Sequence, residues 1–115
     1  MSETIKLQKD DYLMREDDES TNMFYVQTGS LKVYKNKGGI EHEIGSIFSG
    51  EIVGEMSFLD KKPRSASVRA CGECEVVVIP AEKFHKQTES LPIWYKALIN
   101  TILDRLRRAN ARIKI

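Results

Sequence analysis

The part of this 115-residue chain best equipped for chemistry is one stretch, Gly50-Glu51-Ile52-Val53-Gly54-Glu55-Met56-Ser57-Phe58-Leu59-Asp60-Lys61-Lys62-Pro63-Arg64-Ser65-Ala66. Gly54 allows the backbone to approach a ligand closely and to start a short helical turn. The N–H groups of Met56 and Ser57 in such a turn have no intrahelical partner, which makes a ready anion site. Arg64 offers a planar fork that pairs bidentately with phosphate oxygens. Glu55, acceptor-only when ionised, repels a phosphate but accepts hydrogen bonds from a hydroxyl. An acid and an arginine converging on one ligand therefore point to a sugar-phosphate rather than a bare phosphate. Each residue alone would read as a solvated loop charge; the complete pattern carries the inference.

Before residue 80 the chain reads as short β-branched and aromatic runs separated by turn residues. Strands are expected at Ile5 to Leu7, Tyr12 to Arg15, Met23 to Thr28, Leu31 to Lys35, Ile40 to Ile47, Ile52-Val53, Ser65 to Cys71 and Glu75 to Ile79. Gly29-Ser30 has the chemistry of a tight hairpin, and Asn36 to Gly39 turns the chain again. With no connection long enough for a parallel crossover, an antiparallel β-roll of jelly-roll type is expected. After Pro80 the period becomes helical. Ala81 to Glu89 reads as a short helix, and Ser90 with Pro92 can open a second one. That helix carries Trp94, Leu98, Ile102, Leu106, Ala109 and Ile113, widened by Tyr95, Ile99 and Leu103. The fold class is thus mainly β with C-terminal helices: a single domain over 1–115, the roll in 1–80 and a terminal helix pair in 81–115.

Composition narrows the function classes. Hydrophobic residues make up 41% and charged residues 30%, ordinary for a globular chain, and the formal net charge of +1 argues against a broad nucleic-acid surface. No apolar run is long enough to span a bilayer, and the first ten residues do not form a secretory signal, so a cytoplasmic setting is expected. Cys71 and Cys74 form a lone C-x-x-C around Gly72-Glu73. A structural zinc needs four ligands, and only His42 and His85 remain as further candidates, so no metal site is expected. The pair reads instead as the ends of a hairpin turn. No nucleophile–base pair is recognisable, which points away from an enzyme.

The Gly50–Ala66 segment closely resembles the phosphate-binding cassette of cyclic-nucleotide-binding domains, the family of the bacterial catabolite activator protein, kinase regulatory subunits and gated channels. The family pattern appears as Gly54-Glu55-Met56-Ser57, Leu59, then Pro63-Arg64-Ser65-Ala66. The resemblance extends to the glycine-bearing hairpin of Tyr25 to Tyr34, to Gly50, to Arg69-Ala70 and to Glu75 to Ile79. It implies a short phosphate-binding helix in the cassette and the ligand cAMP, with cGMP second and no cofactor. Ser65 occurs in members of either preference. By position, Arg64 would pair with the cyclic phosphate and Glu55 would accept from the ribose 2′-hydroxyl. Backbone N–H groups of Gly54, Met56, Ser57 and Ala66 would complete the cradle, and Ser65 would donate to the phosphate. Val53 and Val33 would wall the base, and Leu103, Arg107 and Asn110 would close over it. Arg64 is expected at this ligand surface and not in the core.

The resemblance further implies that ligand shifts the C-terminal helix, Tyr95 to Ile113, against the roll. The partner would be a protein effector or a second copy met through that helix, with no direct nucleic-acid contact and no membrane segment. The chain is then a stand-alone sensor of bacterial type or one module of a longer protein. A non-binding docking module is the main alternative. A cupin-type metalloenzyme lacks its histidine cluster, and a DNA-binding regulator lacks a second helix pair.

Overall fold

Alternating side chains must choose between core and water at successive positions, and in the first 80 residues they do so as strands. A computed structural model describes residues 3–54 and 62–113, without the side chains of 110–113. The chain divides into two compact units, Met1–Ala81 and Glu82–Ile115.

The first unit is built on β1 (Thr4–Leu7), β2 (Tyr12–Met14), β3 (Asn22–Thr28), β4 (Ser30–Lys37), β5 (Ile40–Phe48), β6 (Ile52–Val53), β7 (Ser67–Ala70) and β8 (Cys74–Pro80). These form two four-stranded sheets, ordered β1-β8-β3-β6 and β2-β7-β4-β5. Every strand pairing is antiparallel. Val26, Leu31, Cys74 and Val76 are fully buried between the sheets, with Val68, Ala70, Ile47 and Val53 around them. On β8 the alternation is plain: Cys74, Val76 and Val78 are buried while Glu75, Val77 and Ile79 are half-buried.

Two turns expected as hairpins are something else. β3 and β4 flank Gly29 but belong to different sheets, and so do β7 and β8, which flank the C-x-x-C. Both turns are corners where the chain crosses between sheets, and they stack on each other. A Cβ at Gly29, whose φ is +88°, would lie 2.6 Å from the Glu73 carbonyl oxygen and 2.7 Å from Cys74 Sγ. Local turn chemistry dictates where a chain bends, whereas long-range pairing decides which strand it meets next. The true hairpin is β4–β5, turned by Gly38 and Gly39 at φ +62° and +83°, with Asn36 Oδ1 accepting from the Gly39 N–H at 3.0 Å.

Helix α1 (Ala81–Glu89) opens with the last residue of the first unit, and α2 (Ile93–Ile113) follows. Ser90 does not cap α2 as expected. Its hydroxyl and N–H both bond back to the Gln87 carbonyl, closing α1. The Pro92 carbonyl accepts from Tyr95 and Lys96 and so starts α2. Among the described residues no helix is long and apolar enough to cross a membrane.

Candidate functional site

Three distant pieces of chain meet around one guanidinium. The turn at Gly50, φ +90°, returns its N–H to the Val26 carbonyl at 2.7 Å, and the Val26 N–H donates to the Glu51 carbonyl at 3.0 Å. That exchange docks β6 on β3, so Val53 lies opposite Phe24 and the chain leaves β6 through Gly54. Gly54 is required twice over. Its φ is +82°, and a Cβ there would lie 2.5 Å from Arg64 Nη1 and 2.9 Å from Met14 Cε.

Arg64 Nη1 donates to the Gly54 carbonyl at 3.0 Å and Nη2 donates to the Asn22 carbonyl at the start of β3. The guanidinium carbon stands 5.6 Å from the centre of the Phe24 ring. The main chain of Arg64 is held as firmly. Its N–H donates to the Asp18 carbonyl at 2.8 Å, and its carbonyl accepts from the Asp17 N–H at 2.9 Å. Asp17 adopts φ +73° to make this fit.

Arg64, expected at a ligand surface and not in the core, is only 4% exposed. Its fork is tied to two main-chain carbonyls. Burial pushes the guanidinium below its usual range, which the nearby Asp18 carboxylate partly offsets. Arginine stays charged at neutral pH regardless.

Ser65 is exposed and Ala66 half-buried, directly after this anchored arginine. Val53 is buried in the core cluster, and Val33, paired with Gly45 and Val68, packs half-buried against it. Glu55, Met56 and Ser57, and with them the short cassette helix, lie outside the described residues. Leu103 and Arg107 are half-buried positions of α2, where Arg107 Nη1 meets Asp104 Oδ1 at 2.9 Å. Asn110 continues the same helix, its side chain outside the described residues. The structure thus brings Gly54, Arg64 and Val53 together with Asn22, Phe24 and Met14.

Cys71 is exposed and Cys74 buried, both as free thiols. Cys74 Sγ donates to the Ser30 carbonyl at 3.2 Å. Among the described residues no cluster of three or more histidine, cysteine or acidic side chains is arranged to hold a metal ion.

Sequence reasoning passed over Lys35, whose Nζ donates to the Ser65 carbonyl at 2.6 Å. A signal was present. Lys35 shares the strand parity of Leu31 and Val33, the side facing the core, where a charged residue calls for a partner.

A positive-φ glycine lodged against a buried arginine, on a two-sheet roll followed in sequence by two helices, is matched by a known family model. Residues 4–90 fit the cyclic nucleotide-binding domain. The chain belongs to that family. It is 31% identical over 84 residues to a cAMP-dependent protein kinase regulatory subunit of Emericella nidulans, a match covering 73% of this chain and 20% of that protein. It is also 31% identical over 108 residues to human potassium/sodium hyperpolarization-activated cyclic nucleotide-gated channel 4, covering 94% of this chain and 9% of the channel. Among solved structures, the cAMP-bound form of the EAL enzyme Bd1971 superposes with a TM-score of 0.76 at 27% identity, over 97% of this chain and 30% of that one. The cyclic nucleotide-binding domain here therefore spans a fifth or less of the curated relatives it matches. The mainly antiparallel β-roll with C-terminal helices is the family's fold.

Proposed function

We propose that the chain is a cyclic nucleotide sensor that catalyses nothing itself and takes cAMP in preference to cGMP. The observation carrying this reading is the buried Arg64 guanidinium lodged against Gly54, with Ser65 and Ala66 following at once. The fork can exchange its carbonyl partners for phosphate oxygens at little electrostatic cost, since a phosphate carries a full charge and a carbonyl only a dipole. Glu55 would accept from the ribose 2′-hydroxyl, Ser65 and the N–H groups of Gly54, Met56, Ser57 and Ala66 would complete the phosphate cradle, and Val33 and Val53 would border the base. Leu103, Arg107 and Asn110 on α2 would close over it, and α2 would carry the change to an effector protein or a second copy. The ligands named for the relatives support this chemistry: cAMP for the kinase subunit, and cAMP and cGMP in separate forms of the EAL enzyme.

The test is calorimetric titration of the purified chain with cAMP and with cGMP, alongside Arg64→Ala. Binding of cAMP more tightly than cGMP, lost or greatly weakened in the variant, is the expected result. A folded chain that binds neither nucleotide overturns the sensor reading in favour of a docking module.

A further inference from the structure

The segment after Arg64 is held from behind by a polar clasp that the phosphate chemistry above does not use. Lys35 Nζ donates to the Ser65 carbonyl at 2.6 Å and lies 3.8 Å from Glu16 Oε2. Glu16 is fixed in turn: its Oε1 accepts from the Asn36 N–H at 2.9 Å, and its own N–H donates to Ser67 Oγ at 2.9 Å. Both partners are about three-quarters covered, with side-chain exposures of 27% and 23%. The clasp ties the chain after β2, strand β4 and the start of β7 to one short loop.

The consequence lies in peptide geometry. The Ser65 carbonyl and the Ala66 N–H are the two ends of a single planar trans peptide and point in opposite directions. The same holds for the Arg64 carbonyl and the Ser65 N–H. With the first carbonyl held by Lys35 and the second by the Asp17 N–H, both following N–H groups are turned away from their clamps. An ammonium on the carbonyl also polarises the peptide, which strengthens the donor at its other end.

We propose that Lys35 is a positioning residue: its ammonium, steadied by Glu16, aims and polarises the Ser65–Ala66 peptide so that the Ala66 N–H bonds the phosphate of a bound cyclic nucleotide. The inference rests on the functional reading above. Lys35→Met keeps the aliphatic stem and removes the ammonium; Lys35→Arg keeps a cationic donor.

Two readouts test it, with thermal melts confirming that each variant is folded. In the ligand-free protein, NMR should show the Ala66 amide proton shifted upfield in Lys35→Met and close to the parent in Lys35→Arg. In titrations with cAMP, Lys35→Met should bind about tenfold more weakly, the scale of one misdirected hydrogen bond, with Lys35→Arg recovering most of the loss. An unmoved Ala66 amide, or parental affinity in Lys35→Met beside a parent that binds, overturns the role of the lysine. A parent that binds no cyclic nucleotide overturns the sensor reading and this one with it, a result distinct from failure of the lysine alone.

Discussion

A methyl group placed on Gly54 would stand 2.5 Å from Nη1 of Arg64. The arginine, ten positions on, thus fills the space a side chain at Gly54 would take. Gly54→Ala should therefore act on both stability and binding. The positive φ costs an L-residue roughly 1–2 kcal/mol, and the clash forces the guanidinium off the Gly54 carbonyl. Urea unfolding of the ligand-free variant should show a lower midpoint, and titration should show weaker nucleotide binding. Unchanged values in both would mean that the arginine does not rest where it is described.

Arg64→Ala is expected to lose about 2–4 kcal/mol of nucleotide binding, roughly 30- to 1,000-fold in affinity. It should also destabilise the ligand-free protein, because its part-buried hydrogen bonds to the Gly54 and Asn22 carbonyls are lost. Losing two hydrogen bonds from a charged donor costs about 1–3 kcal/mol, which thermal unfolding resolves easily. Arg64→Lys keeps the charge without the fork and should fall between the two. A ligand-free melting temperature equal to the parent's in Arg64→Ala would contradict the buried anchorage.

Gly29→Ala separates folding from binding. Its Cβ would meet the Glu73 carbonyl oxygen at 2.6 Å, a main-chain atom that cannot step aside cheaply. A stability loss of about 3 kcal/mol is expected from strain and overlap together. Cys74→Ala in the same chain would relieve the sulfur contact only. Nucleotide affinity of the folded fraction should stay within about twofold of the parent, since the corner lies at the opposite end of β3 from Asn22, which holds Arg64.

The two thiols should differ in their accessibility to a thiol reagent. Cys71 is exposed, whereas Cys74 is fully buried with its sulfur on the Ser30 carbonyl. A thiol reagent should modify one cysteine rapidly in the native protein and the second only in denaturant, read by mass spectrometry. Rapid double modification would show that the two corners do not stack.

The strands and helices were legible because their side-chain periods are local properties. Observed ends fall within about two residues of those expected, as for Ala81–Glu89, within the usual latitude of such boundaries. The partners of those strands were not legible. Gly29-Ser30 and Gly72-Glu73 bend the chain as hairpin residues do, yet the strands they join lie in separate sheets, a choice made by the core between the sheets. Gly54 and Arg64 were visible through chemistry and resemblance. The burial of Arg64 was not, because it depends on the carbonyl of Asn22, which any residue type at that position would supply. Lys35 was discoverable in principle from its core-facing parity.

The pairing of β1 with β8 has a bearing on how the roll comes into being. Thr4 sits opposite Val77 and Leu7 opposite Cys74, so one of the first strands made waits for the last before its hydrogen bonds can close. Between them β3 must also find β8, and β6 must find β3. Such a topology postpones its rewards until long loops have been drawn shut, which places folding on the slow, millisecond-to-second side of small domains. During synthesis the first strand leaves the ribosome with an open edge, at risk of pairing with a neighbouring chain until residue 77 emerges. Charges beside it, on Glu3, Lys6 and Lys9, suit a strand that has to remain unpaired and soluble for that interval.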